Sequence, residues 1–236
     1  MQAQIKEKKE VAKGTLMVTF DLLGEEVDHR PGQYFWVELP DRGHDDERGL
    51  RRHITIVTSP NERGVLGLAT RIRDTAFKRT LSELEVGDEV IVEEPKGDFQ
   101  LPEDTSKEYV FIAGGIGITV FRSMLKYIAE EGLPYRITLL YSNRDRESTA
   151  FTDELKELER KIEGLRVVFT MTDDPGWDGE KRRIDADFVR EMVGGDLAGH
   201  TYLVSGPPGM VNGVADMLEA EGVPAEQVLR SRFAGY

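Results

Sequence analysis

The sequence predicts two domains: an antiparallel β-barrel over residues 1–104, then an α/β domain built on a parallel sheet over residues 105–236. Two observations carry this reading. The first hundred residues break into short strand-like runs separated by Gly and Pro turns, as an antiparallel barrel or sandwich requires. The remainder alternates strand-like and helix-like runs, which demands crossover connections and parallel strands. The rhythm changes at Gln100-Leu101-Pro102-Glu103-Asp104, and the boundary is placed there.

In order, the barrel candidates are Gln2–Lys9, Leu16–Asp21, Tyr34–Leu39, His53–Val57, Gly67–Ile72 and Glu89–Glu93. Turn signals such as Arg30-Pro31-Gly32, Pro60-Asn61 and Val86-Gly87-Asp88 separate them. One helix interrupts the series, Thr75–Leu84, with Phe77, Leu81 and Leu84 on one face. In the second half, Tyr109–Ala113 is continuously apolar, as a strand covered on both faces must be. The helix Ile118–Glu131 follows, stopped at Gly132. Then come a strand at Arg136–Tyr141, a helix at Thr149–Glu163, a strand at Arg166–Met171 and a helix at Asp185–Met192. A strand at Thr201–Val204, a helix at Pro208–Glu221 and a strand at Val228–Phe233 complete the chain.

Composition narrows the function. Apolar residues form 39% of the chain, enough for a sizeable core. Lys and Arg number 31 against 44 Asp and Glu, so the net charge of −13 argues against nucleic acid or an anionic membrane as partner. The chain has no cysteine, which excludes a disulfide scaffold, a thiolate zinc site, a catalytic thiol and a Cys-ligated iron–sulfur cluster within it. Met1–Gly14 shows no apolar signal core, and the apolar-leaning run Tyr109–Phe121 falls short of the roughly 20 residues of a membrane span. A cytoplasmic protein is expected. His29, His44, His53 and His200 lack metal-ligand spacing, and there is no G-x-S-x-G elbow. The acidic pairs Asp45-Asp46 and Asp173-Asp174 read as solvated, and Trp177 as a loop anchor.

Three segments carry chemistry. In Phe111-Ile112-Ala113-Gly114-Gly115-Ile116-Gly117-Ile118-Thr119 a buried strand enters a glycine turn and a helix starts at once. Glycines let backbone approach a ligand, and a helix N-terminus suits a pyrophosphate. The order G-G-x-G-x-T is neither G-x-G-x-x-G nor a Walker loop, and a plain tight turn is the alternative. Ser205-Gly206-Pro207-Pro208-Gly209 repeats the strand–turn–helix pattern, on the same carboxyl edge of the sheet. In Arg51-Arg52-His53-Ile54-Thr55 two cations precede a hydroxyl-bearing strand; Arg forks onto phosphate, yet without further context an ordinary strand with charged flanks is the better reading.

Together these segments resemble the ferredoxin–NADP reductase superfamily over nearly the whole chain. The resemblance implies an FAD-binding barrel followed by a Rossmann-like NAD(P)-binding domain. Arg52-His53-Ile54-Thr55 is similar to the family's R-x-Y-[ST] motif, with Ile54 in place of the Tyr. It implies Arg52 on the FAD pyrophosphate and the Thr55 hydroxyl near flavin N5. Thr75-Ala76-Phe77-Lys78 stands where the family has G-x-x-S at a helix start, with Lys78 replacing a hydroxyl by a charge. Thr70 and Ile72 on the preceding strand join this cofactor-binding set. Pro95-Lys96-Gly97-Asp98-Phe99 looks like the P-x-G-x-F turn that closes the barrel. Gly114, Gly115, Gly117 and Thr119 look like the coenzyme's pyrophosphate loop. Ser205, Gly206 and Pro207 match the C-G-P-P segment beside the nicotinamide, with Ser for Cys. The terminal Tyr236 resembles the aromatic that covers the flavin in one branch, a frayed tail being the alternative. Thr55, Ser205 and Tyr236 are thus the expected catalytic residues.

The coenzyme is NADPH or NADH. Ser142, Arg144 and Arg146 follow the strand at Arg136–Tyr141, where the adenosine ribose is expected, and two guanidiniums there favour a 2′-phosphate. Asp145 and Glu147 oppose it. Ferredoxin or flavodoxin is the first choice of electron acceptor, with Arg71, Arg73, Lys78 and Arg79 together with Arg51 and Arg52 as the candidate docking patch, some of which must serve the FAD phosphates instead. A small-molecule acceptor such as free flavin is the second choice. A flavin-binding electron-transfer partner without turnover of its own is the rival from a different class.

Overall fold

The computed structural model describes residues 1–232; the expected role of Tyr236 lies outside the described residues. The first sheet contains β1 (Gln2–Ala12), β2 (Thr15–Asp21), β3 (Tyr34–Glu38), β4 (Arg51–Thr55), β5 (Val65–Arg71) and β6 (Glu89–Val92). Their order is β4-β3-β6-β1-β2-β5, and every neighbouring pair is antiparallel. The sheet curls until its edge strands meet. Just beyond β4, the Val57 N–H donates to the Gly67 carbonyl (2.9 Å), and the Gly67 N–H donates to Thr58 Oγ1 (3.1 Å). No continuous ladder joins β4 to β5, so this is a barrel that is not formally closed. The approach needs glycine: a Cβ on Gly67 would lie 2.8 Å from the Thr58 methyl. Inward-facing alternation gives the barrel its core, with Ile5, Val18, Phe20, Phe35, Val37 and Leu68 fully buried. Helix α1 (Ala76–Glu83) plugs one end through Phe77 and Leu81, one helical turn apart.

The second sheet is parallel throughout: β7 (Glu108–Gly114), β8 (Arg136–Asn143), β9 (Leu165–Met171), β10 (Thr201–Gly206) and β11 (Val228–Arg232), in the order β11-β10-β7-β8-β9. Helices α2 (Ile118–Glu131) and α3 (Thr152–Lys161) pack on the face that carries Phe111 and Leu139. Helices α4 (Ala186–Val193) and α5 (Pro208–Ala220) cover the face that carries Val110, Ile112 and Leu140. Coverage on both faces explains the uninterrupted apolar run in β7. No helix among the described residues is long and apolar enough to cross a membrane.

Several elements differ from their expected limits by two or three residues. β1 runs on to Ala12, β4 spans Arg51–Thr55 rather than His53–Val57, β5 starts at Val65 and β10 ends at Gly206. Two further differences bear on the coenzyme side. β8 runs past Tyr141 to Asn143, because Ser142 pairs with Gly114 and Thr170 and Asn143 pairs with Met171. α3 begins at Thr152 rather than Thr149. The Thr149 hydroxyl instead donates to the Asp145 carbonyl (2.7 Å), and Phe151 sits in the left-handed region at φ 63° before the helix starts.

Helix α2 ties the two sheets together. The buried Arg122 donates through Nη1 to the Val57 carbonyl (2.6 Å) and through Nε to Glu154 (2.8 Å). One residue on, the Ser123 hydroxyl donates to the Thr58 carbonyl (2.7 Å), and Lys126 pairs with Glu62 (2.5 Å). The seam of the barrel is therefore also the dock for the helix that leaves the Gly114–Gly117 turn. Replacing Arg122 with Met retains bulk but removes a buried charge-assisted hydrogen bond, so stability falls by about 1.5–3 kcal/mol. Urea unfolding is expected to show a lower midpoint with an unchanged slope; an unmoved midpoint would show that this strut carries no weight.

Candidate functional site

One cleft opens between the two sheets. Its barrel-side wall comes from Arg52, His53 and Ile54 of β4, Ala69, Thr70 and Arg71 of β5, Arg73 beyond it, and Phe77 and Lys78 of α1. Arg52 is 6% exposed, and its guanidinium is a scaffold for the loop before β4. Nη1 donates to the carbonyls of Arg48 (2.6 Å), Gly49 (2.9 Å) and Arg51 (2.8 Å), while Nη2 lies 3.6 Å from the Asp46 carboxylate. The guanidinium also stands 5.6 Å from the Phe77 ring centroid.

The N-terminus of α1 is capped twice. Thr75 Oγ1 accepts from the Lys78 N–H (3.4 Å), and Asp46 accepts from the Ala76 N–H (2.7 Å). The backbone bonds from Ala76 and Arg48, with Arg52 beside them, hold the Asp46 carboxyl below the usual range. An anion thus already sits where the helix start favours one. Lys78, 5% exposed, has its ammonium pushed down to about 8 by burial first and by repulsion from Arg73 and Arg52 second. The cations Arg52, Arg73 and Lys78 share one corner of a cleft otherwise lined by Ile54, Ala69 and Phe77. That combination of apolar wall and convergent cations fits an aromatic group carrying a diphosphate.

The opposite wall comes from the second sheet: Gly114, Gly115 and Ile116 after β7, and Pro207 and Pro208 after β10. Gly117 lets these two loops touch; a Cβ there would stand 2.4 Å from the Ser205 carbonyl oxygen. Gly206 makes a looser but still tight approach, its Cβ position 3.1 Å from the Gly114 carbonyl oxygen. At Gly115, with φ +54°, a Cβ would reach the Arg71 guanidinium at 3.4 Å. Backbone therefore forms this side of the cleft, as a bound pyrophosphate requires. Ser205 lies fully buried beneath the loops, and its hydroxyl makes no hydrogen bond among the described residues. An orphan hydroxyl at the carboxyl end of a central strand suits a polar ligand group such as a carboxamide.

Other expected site residues fall elsewhere. Thr55 opens into an adjoining cleft with Tyr34, Gly97, Phe99 and Arg230, which meets the first cleft at His53. The His53 ring lies 5.4 Å from that of Tyr34 and 4.9 Å from that of Trp36. Burial, then the charge on Arg52, lowers its pKa. Thr119 is buried, and its hydroxyl donates to the Ile116 carbonyl (3.1 Å), bracing the glycine turn from within. Ala76 is buried, Thr75 acts as a cap, and Ile72 is exposed outside the cleft lining.

At the end of β8, Ser142 lies in the strand, and the two arginines beyond it are engaged. Arg144 pairs with Asp173 (3.4 Å), and Arg146 grips Asp174 through Nε (2.8 Å) and Nη2 (3.3 Å). The Asp174 pair is correspondingly polarised, its carboxyl held low by Arg146. The acidic pairs expected to be merely solvated thus contain Asp46 and Asp174, each bound to backbone N–H groups. Trp177 is a loop anchor, as expected: its indole N–H donates to the Glu180 carbonyl (3.0 Å). No His/Asp/Glu cluster suited to a metal occurs among the described residues. Arg71 and Arg73, two of the cations read as a docking patch or as serving the FAD phosphates, line the cleft. Their alternation in Thr70-Arg71-Ile72-Arg73 was the available signal, and the missing knowledge was which face the barrel seam exposes.

Comparison with known proteins places these walls in context. Residues 2–101 match the oxidoreductase FAD-binding domain and residues 111–216 the oxidoreductase NAD-binding domain. The chain is 28% identical over 210 residues to the reductase component of propane 2-monooxygenase from Rhodococcus jostii, covering 86% of this chain and 55% of that protein. It is 29% identical over 210 residues to ferredoxin–NADP reductase B of Sorangium cellulosum, covering 86% and 84%. To NADH–cytochrome b5 reductase 1 of Aspergillus terreus it is 25% identical over 232 residues, covering 92% and 76%. The fold superposes on the FAD/NAD-binding domain of nitric oxide dioxygenase from Vibrio cholerae with a TM-score of 0.87 at 21% identity, over 99% and 98% of the two chains. For a cytochrome P450 reductase of Amycolatopsis the TM-score is 0.86 at 22% identity, over 100% and 70%.

The contact between the two loops is open to a direct check. Gly117→Ala forces a methyl group into the Ser205 and Gly206 backbone and is expected to lower stability by about 1–3 kcal/mol. Gly209→Ala, which meets open space at the start of α5, is the control and shifts stability by about 1 kcal/mol or less. Thermal unfolding distinguishes them; equal effects would mean that the loop contact is slack.

Proposed function

We propose that this chain, which belongs to the ferredoxin–NADP reductase superfamily, passes electrons from a nicotinamide coenzyme through FAD to a separate ferredoxin or flavodoxin. Its FAD-binding and NAD-binding domains make it an NAD(P)H-dependent flavoprotein oxidoreductase. The observation that carries the reading is the shared cleft, where Arg52, Arg73 and Lys78 face the glycine backbone at 114–115. FAD, when bound, would supply the redox chemistry between the nicotinamide coenzyme and an electron acceptor. Arg52, Arg73 and Lys78 hold the FAD diphosphate beside the first turn of α1, whose Ala76 and Lys78 N–H groups are taken by Asp46 and Thr75. Thr55 orients the reacting edge of the flavin, with His53 between it and the diphosphate corner. Gly114, Gly115 and Gly117 admit the coenzyme's pyrophosphate, and Ser205 receives the carboxamide. With no cysteine in the chain, a Cys-ligated iron–sulfur acceptor lies outside these 236 residues.

The coenzyme reading turns on β8. Arg144 and Arg146 are paired with Asp173 and Asp174, so they add no net positive charge at the ribose end. A 2′-phosphate meets carboxylates there, and we infer NADH as the preferred coenzyme, the reverse of what the two arginines alone suggest.

Steady-state oxidation of NADH with ferricyanide tests turnover, and its absence in an FAD-loaded preparation would favour a non-turnover flavin partner. Replacing ferricyanide by ferredoxin, flavodoxin or free flavin identifies the acceptor. Thr55→Ala is expected to retain FAD but slow reduction by the coenzyme on the order of 5–30-fold, one lost hydrogen bond at the reacting atoms. Stopped-flow reduction at the wild-type rate would remove Thr55 from that position. For the coenzyme, kcat/KM favours NADH, and Arg146→Ala leaves the NADH/NADPH ratio within about twofold, because no phosphate contact is lost. A preference for NADPH that collapses in Arg146→Ala would refute the pairing argument.

A further inference from the structure

We propose that the β1–β2 turn, Lys13-Gly14, is a positioning element for the nicotinamide coenzyme, holding the Arg71 guanidinium over the glycine turn after β7. The inference rests on the reading of Gly114–Gly117 as the coenzyme's pyrophosphate loop and extends it to what aligns the facing wall. Arg71 lines the cleft from the end of β5, and a Cβ on Gly115 would stand 3.4 Å from its Nη2. Its side chain spans the gap between the two domains. The same nitrogen donates to the Ser148 carbonyl in the loop after β8 (3.3 Å). Ordering so long a side chain costs rotamer entropy, and the position is kept only where both of its ends are fixed.

The turn holds both ends. On the barrel side, Thr15 pairs with Arg71 across β2 and β5, and the Ile72 N–H donates to the Gly14 carbonyl (2.8 Å). On the other side, the Lys13 N–H donates to the Glu147 carbonyl (2.8 Å), one residue before the carbonyl that receives Arg71. The Lys13 ammonium also pairs with the Glu147 carboxylate (2.7 Å), but these side chains are 76% and 71% exposed, so the backbone bond carries the contact. The loop transmits the constraint because it is braced within itself. The Ser148 N–H donates to the Asp145 carboxylate (2.8 Å), and the Thr149 hydroxyl donates to the Asp145 carbonyl (2.7 Å). An arriving pyrophosphate therefore meets a guanidinium already in place, and its ordering does not subtract from affinity.

The test separates coenzyme affinity from flavin chemistry. Lys13 follows β1, is not among the described residues with positive φ, and precedes Gly14 at φ +65°, a turn that accepts proline at its first central position. Stopped-flow reduction of the FAD-loaded chain by NADH gives a half-saturation constant and a limiting rate. Lys13→Pro, which loses the N–H as well as the side chain, is expected to raise the half-saturation constant on the order of three- to tenfold. The limiting rate stays within about twofold and FAD is retained. Lys13→Ala loses only the exposed pair and raises the constant by about twofold or less. Asn61→Ala removes another bond between the domains, to Glu131 (2.7 Å), outside the cleft lining, and leaves the constant at its wild-type value. Reciprocity supplies a check without variants, since a bond that strengthens coenzyme binding is itself strengthened by the coenzyme. In the FAD-loaded wild type, saturation with NAD+ slows amide exchange at Lys13 by about the same factor. Exchange at Leu22, whose N–H donates to the Gly64 carbonyl beyond the other end of β2, is unchanged. An unmoved constant in Lys13→Pro overturns the inference, as do an equal rise in Asn61→Ala, a loss of FAD from Lys13→Pro, or Lys13 exchange indifferent to NAD+. If Lys13→Pro does not fold, the exchange measurement decides. A wild-type chain that holds FAD but is reduced by neither NADH nor NADPH overturns the coenzyme reading itself, which none of the other outcomes does.

Discussion

Helix α2 has to satisfy two sheets at once, and the geometry of the site follows from how it does so. Its N-terminus emerges from the Gly114–Gly117 turn at the carboxyl edge of the parallel sheet. Its flank reaches across to the barrel, where Arg122 and Ser123 bond the carbonyls of Val57 and Thr58. Those carbonyls belong to the segment that continues β4, the strand carrying Arg52, Ile54 and Thr55. One rigid rod therefore sets the separation between the barrel wall and the glycine loops. Chemistry between two groups held on opposite walls depends on that separation, since a misplacement of about 1 Å can cost on the order of a hundredfold in rate.

The close approach of backbone to backbone extends the same constraint. Gly117 against Ser205, and Gly206 against Gly114, bring the loops after β7 and β10 into contact without side chains between them. The two βα turns thereby become one surface. Thr119 stiffens it from below through the Ile116 carbonyl, and Arg71 reaches over Gly115 to donate to the Ser148 carbonyl (3.3 Å). This last contact crosses between the sheets, as does the bond from the Lys13 N–H to the Glu147 carbonyl (2.8 Å). The cleft is closed on its flank as well as along its floor.

Charge within an acidic protein is distributed by function. Overall the chain carries −13, yet the diphosphate corner gathers Arg52, Arg73 and Lys78. At the far end of the cleft edge the opposite holds, because Asp173 and Asp174 neutralise the arginines after β8. The two places thus differ in charge, with cations gathered at one and arginines paired with carboxylates at the other. Asp46 occupies a middle position, binding the start of α1 and the Arg52 guanidinium together and holding the loop before β4 in place.

Much of this was legible in residue order. Alternation in the first hundred residues and the apolar run at Tyr109–Ala113 depend on local rules of burial, and the strands followed them. Helix α2 ends where Gly132, at φ 61°, supplies a left-handed cap, again a local device. The glycine turns, Arg52 and Lys78 were visible because ligand-binding backbone and convergent charge leave marks in composition. What local order left open depended on partners distant in the chain. The extension of β8 to Asn143 requires ladder partners from β9, and the pairing of Arg144 and Arg146 requires aspartates some thirty positions on. Whether Arg71 and Arg73 face a cleft or a partner depends on where the curled sheet leaves its seam. Secondary structure and chemical class rest on neighbours in sequence, whereas the state of a charge rests on whatever the fold places beside it, as the pairing of Arg144 and Arg146 with Asp173 and Asp174 illustrates.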